Sequence, residues 1–250
     1  MQLVHAANAY GAPAPIHAKE QLFANLCHEI RNPVHAIVGL SRVMASKQCS
    51  PERQTEYVQM LQQSASMLEE LLNDVLDFSR IDAGMMELDA VPFDLARLVS
   101  ETMQMIAPRA REKGLSLHMH CPELAPLVGD PLRLRQILLN LLGNAVKFTE
   151  SGFVSLYTHA ESDKSGSYRI RITITDTGIG IPAEKQATLF NEFRQADARI
   201  HSQYGGSGLG LAICQRLLSL MDGTISVASA PDAGSQFTVL LTLPAARMVA

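Results

Sequence analysis

Apolar residues recur along this chain with two different periods, and the change of period divides it. Up to about residue 82 they step by four and three. Phe23, Cys27, Ile30, Val34, Ile37, Ser41 and Met44 form one such seam, widened by Leu22, Leu26, Ala36, Leu40 and Val43. Tyr57, Leu61, Ser64, Leu68, Leu71, Val75 and Phe78 form another. This is the period of a helix with one face in a core. It predicts a helix from about Pro15 to Ala45 and a second opened by Ser50-Pro51, an N-cap followed by a first-turn proline. A short turn between them makes the pair an antiparallel hairpin. Stripes this wide leave each helix a second apolar flank that only another pair can bury. A homodimeric four-helix bundle is therefore expected, with a hairpin packed on its own downstream domain as the alternative.

Beyond Pro92 the period changes. Tyr168, Ile170, Ile172 and Ile174 alternate with Arg169, Arg171, Thr173 and Thr175, and Phe237, Val239, Leu241 and Leu243 alternate likewise, as in sheets with one buried face. Helices are predicted at Leu95 to Glu112, from Asp130-Pro131 to about Phe148, and from about Leu209 to Met221, with Leu115 to His120 as a strand. Helices laid on one face of a mixed sheet give a two-layer α/β sandwich. The fold class is α+β multidomain. Residues 1–16, rich in Ala, Pro and Gly, read as a flexible lead-in, 17–82 as the helical hairpin, 83–92 as a linker, 93–245 as the second domain and 246–250 as a tail.

Composition adds mainly exclusions. A chain of 250 residues with 47% hydrophobic and 18% charged side chains suits one large or two modest globular domains. The net charge of −4, with both signs mixed along the chain, argues for neither nucleic acid nor an anionic membrane surface. Cys27, Cys49, Cys121 and Cys214 stand alone, which fits neither a zinc site nor a disulfide framework. No apolar run approaches the ~18 residues of a membrane span, and Met1 to Tyr10 lacks the features of a signal peptide. A soluble, cytoplasmic chain is expected.

Candidate chemistry begins on the first helix. The helical count leaves His28, Asn32, His35, Gly39 and Arg42 on a stripe outside the seam, with Glu29 beside His28. An exposed imidazole next to a carboxylate is chemically available; a surface histidine without a role is the alternative. Pro33 removes a helical bond at a cost of ~3 kcal/mol, a local rule broken beside the candidate nucleophile. Further on, Asn140, Asn144 and Lys147 share one face of their helix, apart from Leu134, Leu138, Leu141, Ala145 and Phe148. Oxygen donors suit Mg²⁺ and an ammonium suits phosphate, so this face reads as a metal-nucleotide site or as a solvated polar face.

Two glycine-rich stretches follow. Asp176-Thr177-Gly178-Ile179-Gly180-Ile181-Pro182 succeeds the alternating strand. Its glycines admit close approach of backbone to a ligand, and its aspartate can accept a hydrogen bond from an exocyclic amine. A dinucleotide fingerprint is excluded, because Pro182 and a loop come where a third glycine would open a helix, and no Walker A lysine is present. Gly205-Gly206-Ser207-Gly208-Leu209-Gly210 runs into a helix and reads as a phosphate site at its N-terminus or as a surface loop. Between them, Ala183 to Tyr204 is expected to be a ligand-gated lid anchored by Phe190 and Phe193.

His28-Glu29-Ile30-Arg31-Asn32-Pro33 resembles the phospho-acceptor box of sensor histidine kinases. In order after it, Asn140 to Phe148 resembles the N box, Asp176 to Gly180 the G1 box, Phe190 to Phe193 the F box and Gly206 to Gly210 the G2 box of their Bergerat-type ATP-binding fold. Five boxes in one order, over about residues 17 to 245, are strongly specific where any one alone is weak. The resemblance is to the catalytic core of two-component or hybrid sensor kinases. It implies that His28 accepts the γ-phosphoryl group of ATP, that Glu29 orients the ring or takes its proton, and that Asn32 positions water to dephosphorylate a response regulator. It implies that Asn144 coordinates Mg²⁺, Asp176 binds adenine, Lys147 contacts phosphate, and Gly206, Gly208, Leu209 and Gly210 wrap the phosphate tail. Asn140, Gly178, Gly180, Phe190, Phe193 and Thr238 complete the implied nucleotide site.

Two positions refine this. Asn140 stands where ATP-hydrolysing members of the superfamily carry a glutamate base, and an amide cannot deprotonate water. Gln195 stands where many members place a lid arginine, so Arg194 and Arg199 are the candidates for that charge. No receiver domain follows Leu243, so the acceptor aspartate is expected on a separate response regulator or outside this chain. The expected function is ATP-dependent autophosphorylation of His28 and phosphotransfer. The alternatives are a non-catalytic phosphotransfer scaffold and an ATP-hydrolysing member of the same superfamily.

Overall fold

The computed structural model describes residues 16–45, 50–164, 166–190 and 208–246. Nearly all of the expected tail and of the lead-in, and most of the lid, lie outside these residues. Contacts divide the chain into two compact units, Met1–Leu71 and Leu72–Ala250.

The first unit is helical, built from α1 (Ile16–Ala45) and the greater part of α2 (Pro51–Asp82). Ser50 opens α2 as expected: its hydroxyl accepts from the Arg53 N–H at 3.4 Å and its carbonyl from the Gln54 N–H at 3.0 Å. α1 continues through Pro33, although that residue has no N–H to give the Glu29 carbonyl. On α2 the expected seam is the covered one, with Tyr57, Leu61, Ser64 and Leu68 half-buried and Leu71 buried. On α1 the seam is displaced. The covered seam is Leu26, Ile30, Pro33, Ile37, Leu40 and Met44, with Glu29 and Ala36 half-buried beside it, while Cys27, Val34 and Ser41 are exposed. Both sets step by four and three and share Ile30, Ile37 and Met44, so the period alone could not separate them. An apolar flank stays uncovered in the single chain, with Val34 36%, Val38 39% and Val58 40% exposed.

The second unit is a two-layer sandwich. Its sheet has the order β2-β4-β5-β7-β6, from β2 (Ser116–His120), β4 (Phe153–Ser162), β5 (Ser167–Asp176), β6 (Thr224–Ser229) and β7 (Ser235–Pro244). Only the β2–β4 pairing is parallel. A separate antiparallel pair joins β1 (Val91–Phe93) to β3 (Leu127–Gly129). The hydrophobic pattern singled out β2, β5 and β7; β4, β6 and the short pair emerge with the fold.

Alternation decides the buried face. Val154, Leu156 and Thr158 of β4, Ile170, Ile172 and Ile174 of β5, and Phe237, Val239, Leu241 and Leu243 of β7 are all buried. Over that face lie α3 (Leu95–Glu112), α4 (Pro131–Phe148) and α6 (Gly210–Leu220), while α5 (Ala183–Gln186) is one short turn. Each long helix starts or packs for a local reason. Asp94 caps α3 by accepting from the Arg97 N–H at 2.9 Å, and Asp130 caps α4 by accepting from the Arg133 N–H at 2.9 Å. The second Asp130 oxygen accepts from the Asp89 N–H at 3.1 Å and so ties the expected linker to the start of α4. Leu134, Ile137, Leu138, Leu141 and Leu142 of α4 are fully buried, each stabilising the unit by about 1.5–3 kcal/mol. No described helix is long and apolar enough to cross a membrane.

Candidate nucleotide-binding and phospho-acceptor sites

The buried leucines of α4 turn the opposite stripe outward, where Asn140, Asn144 and Lys147 are half-buried. Asn140 is held from α6. A Cβ built on Gly210 would stand 3.0 Å from Asn140 Oδ1 and 3.3 Å from its Cγ, so any larger residue there would oblige the Asn140 amide to give way by a few tenths of an ångström. Beneath this contact Cys214 Sγ lies 3.8 Å from the Ile137 carbonyl oxygen, and complete burial pushes its thiol up to about 12. That thiol stays protonated and is packing, not chemistry. The Lys147 ammonium lies 4.9 Å from the centroid of the Phe148 ring.

Asp176 ends β5 and is 5% exposed. Its Oδ1 accepts from the Gly178 N–H at 2.8 Å and from the Ser235 N–H at 3.2 Å. Burial pushes this carboxyl up from its ordinary value, and the Gly178 and Ser235 N–H groups with the Ser235 hydroxyl pull it back. The turn behind it is wedged between α4 and the β6–β7 connection. A Cβ on Gly178 would strike the Phe148 carbonyl oxygen, and one on Gly180, at φ +67°, the Ala230 carbonyl oxygen. Four bonds fix the turn's path: Ile179 N–H to Phe148 O at 3.3 Å, Gly234 N–H to Gly178 O at 3.0 Å, Asp232 N–H to Ile179 O at 2.9 Å, and Ile181 N–H to Ser229 Oγ at 2.8 Å. Gln186 Nε2 donates to the Ile181 and Ser229 carbonyls, both at 2.8 Å.

Ser229, Gly234, Ser235 and Gln186 thus hold the turn, and none was singled out in the sequence. Gly234-Ser235 directly after Asp232-Ala233 was the available signal, since a turn glycine before a strand often meets another backbone. Thr238 is a correction. It is paired with Thr173 on the sheet face away from the helices, because the buried residues of β7 are the odd-numbered ones and successive side chains alternate. Ser235, paired with Asp176, is on the helix-covered face.

The second glycine stretch is described from Gly208 onward; Gly206 lies outside the described residues. Leu209 is fully buried, and its carbonyl accepts the first helical bond of α6, from the Ile213 N–H at 2.8 Å. Its side chain therefore anchors the turn in the core and leaves only its backbone for a ligand. Phe190 stands edge-on to buried Phe237, with ring centroids 6.5 Å apart. Phe193, Arg194, Gln195 and Arg199 lie outside the described residues.

In the first unit His28 and Asn32 are both exposed, one helical turn apart, and Glu29 is half-buried beside them. Leu26 and Pro33 on the neighbouring stripe are buried, so the helix is held from one side and presents the imidazole on the other.

Two family models match the chain: the His Kinase A (phospho-acceptor) domain over residues 18–84, and the histidine kinase-, DNA gyrase B- and HSP90-like ATPase over residues 129–247. The chain is 42% identical over 231 residues to the sensor histidine kinase GacS of Pseudomonas protegens, covering 92% of this chain and 25% of that protein. It is 40% identical over 221 residues to the signal transduction histidine-protein kinase BarA of Escherichia coli, covering 88% of this chain and 24% of that one. The crystal structure of full-length ShkA in complex with AMPPNP matches with a TM-score of 0.67 at 35% identity, over 91% of this chain and 46% of that chain. The chain spans about a quarter of the length of these curated relatives. With a phospho-acceptor helical domain followed by an ATPase-type sandwich, in that order, the chain belongs to the histidine kinases and comprises the elements of their catalytic core.

Proposed function

We propose that this chain binds Mg²⁺-ATP in its second unit, transfers the γ-phosphoryl group to His28, and passes it to an aspartate of a response regulator receiver domain, acting in the cytoplasm as a homodimer. The observation that carries the reading is Asp176. A buried carboxylate, fixed through one oxygen by two backbone N–H groups at a strand end, is preset to accept a hydrogen bond from the adenine amine. Asn144 and Lys147 supply the metal-ligand and phosphate roles, and the Gly208-Leu209-Gly210 backbone at the start of α6 supplies N–H groups for the phosphate tail.

The donor set suits a metal that arrives with the nucleotide. Among the described residues no group of three or more His, Cys, Asp or Glu side chains is placed to hold a metal ion. Mg²⁺ characteristically takes few protein ligands and completes its shell with phosphate oxygens and water, which the Asn144 amide oxygen fits. When bound, the ion neutralises charge on the phosphates as the γ-group departs.

The residues do the rest. A ring nitrogen of His28 attacks the γ-phosphorus, the bond from phosphorus to the bridging oxygen breaks, and ADP leaves with that electron pair. Glu29 orients the ring and accepts the proton lost from it. Asn140 cannot act as a base on water, which spares ATP for the histidine. Phe190, seated on Phe237, anchors the start of the lid over the nucleotide. The test is incubation with ATP radiolabelled in the γ-phosphate. Acid-labile protein phosphate should form, and should vanish in His28→Gln while nucleotide affinity persists. Label that survives in that variant overturns the assignment.

A further inference from the structure

An α-helix ends with four carbonyls that lack a partner within the helix. In α4 these belong to Ala145, Val146, Lys147 and Phe148, and each is met from outside the ladder. The Thr149 hydroxyl donates to the Ala145 carbonyl at 2.7 Å. The Lys113 ammonium donates to the carbonyls of Val146 at 2.9 Å and Lys147 at 2.8 Å, and also to that of Thr149 at 3.2 Å. The Phe148 carbonyl accepts from the Ile179 N–H at 3.3 Å and is the group against which Gly178 packs. Lys113 itself is the C-cap of α3, placed by its own N–H donating to the Ala110 and Arg111 carbonyls.

We infer that Lys113 is a positioning residue for the turn carrying Asp176, acting through the end of α4. An ammonium has three protons, and here three carbonyls converge on it, neutralising the negative end of the α4 dipole. The Phe148 carbonyl lies between two of those three acceptors. Its position, and with it the seat of Gly178 and Ile179, follows the clamp. Withdrawing the ammonium leaves two of the four terminal carbonyls without their donor, lets the last turn fray, and moves the turn that aims the Asp176 carboxylate. Lys113 need not touch nucleotide for this, and it lies outside every motif of the sequence.

The inference rests on the proposed ATP-binding reading, and the test separates the two. With Mg²⁺ present and well below the melting temperature, a fluorescent trinitrophenyl-ATP is displaced from the chain by ATP and, separately, by GTP. Lys113→Met should weaken ATP by roughly tenfold, the size of one lost charge-assisted contact, and GTP much less, because guanine offers no amine where Asp176 reads one. Lys113→Arg, which keeps a cation and several donors, should restore most of the preference. Equal weakening of both nucleotides, or ATP affinity within about twofold of the parent, overturns the positioning role. Asp176→Asn is the control for the pocket: undiminished ATP affinity there overturns the ATP-site reading whatever Lys113→Met does.

Discussion

Gly210 and Asn140 meet across α6 and α4 in a tight contact: a Cβ on the glycine would lie 3.0 Å from the amide oxygen. The start of the helix that follows the second glycine stretch is therefore pressed directly on the Asn140 side chain. Gly210→Ala should displace Asn140 by a few tenths of an ångström. The amide is the far end of a flexible side chain and can give way at little cost, so the melting temperature should stay within a few degrees of the parent. Autophosphorylation should nevertheless fall by about tenfold, a misplacement effect. Initial rates of acid-labile phosphate formation beside thermal melts check this; parallel loss of both would mean a purely structural contact.

Asp176 gives a prediction with a sign. Burial raises its folded pKa above the unfolded value, so its contribution to stability is fully present below the unfolded pKa and is lost as pH rises through the folded one. At neutral pH the ionised carboxylate costs stability that, under the proposed function, binding adenine would recover. Asp176→Asn should thus melt no lower than the parent without nucleotide, yet lose the stabilisation that ATP confers on the parent. In the parent, ATP affinity should fall on acidification at a pH above the ordinary aspartate value. Calorimetric titrations across that range, with melts of both proteins, decide it.

The uncovered apolar flank of the first unit predicts a dimer. Val34, Val38 and Val58 are 36%, 39% and 40% exposed, an arrangement a second hairpin would cover. Val38→Glu combined with Val58→Glu should give a monomer of unchanged helicity in sedimentation and circular dichroism, because neither side chain supports the single-chain core. A variant that sediments like the parent would place the interface elsewhere.

Asn32 lies one turn beyond His28 on the same exposed stripe of α1, beside any receiver domain docked to take the phosphoryl group. An amide that both donates and accepts can position water there. Asn32→Ala should leave autophosphorylation near the parental rate and slow loss of phospho-regulator by about tenfold. Timing that loss with purified regulator, ADP and Mg²⁺ tests the split. Equal decay would leave Asn32 a solvated helix residue.

What the sequence determined by itself was local. Asp130-Pro131 marked the start of α4, and the alternation through Ile170, Ile172 and Ile174 marked β5, because caps and side-chain periods are written within a few residues. His28, Asn144, Asp176 and the glycine turns were legible for the same reason, as short ordered motifs. Tertiary structure decided everything that required choosing between equivalent local readings or joining distant ones. Leu26 and Pro33 rather than Cys27 and Val34 line the α1 seam, although both sets carry the helical period. Thr238 faces away from the site because alternation fixes that neighbours oppose each other, whereas only helices packed on the sheet fix which of them is inside. Lys113 reaches the end of α4 from 33 residues away, and Ser235 reaches Asp176 from 59. Such bonds leave no periodic trace in the chain, because the partners are brought together by burial of the core and not by any spacing between them.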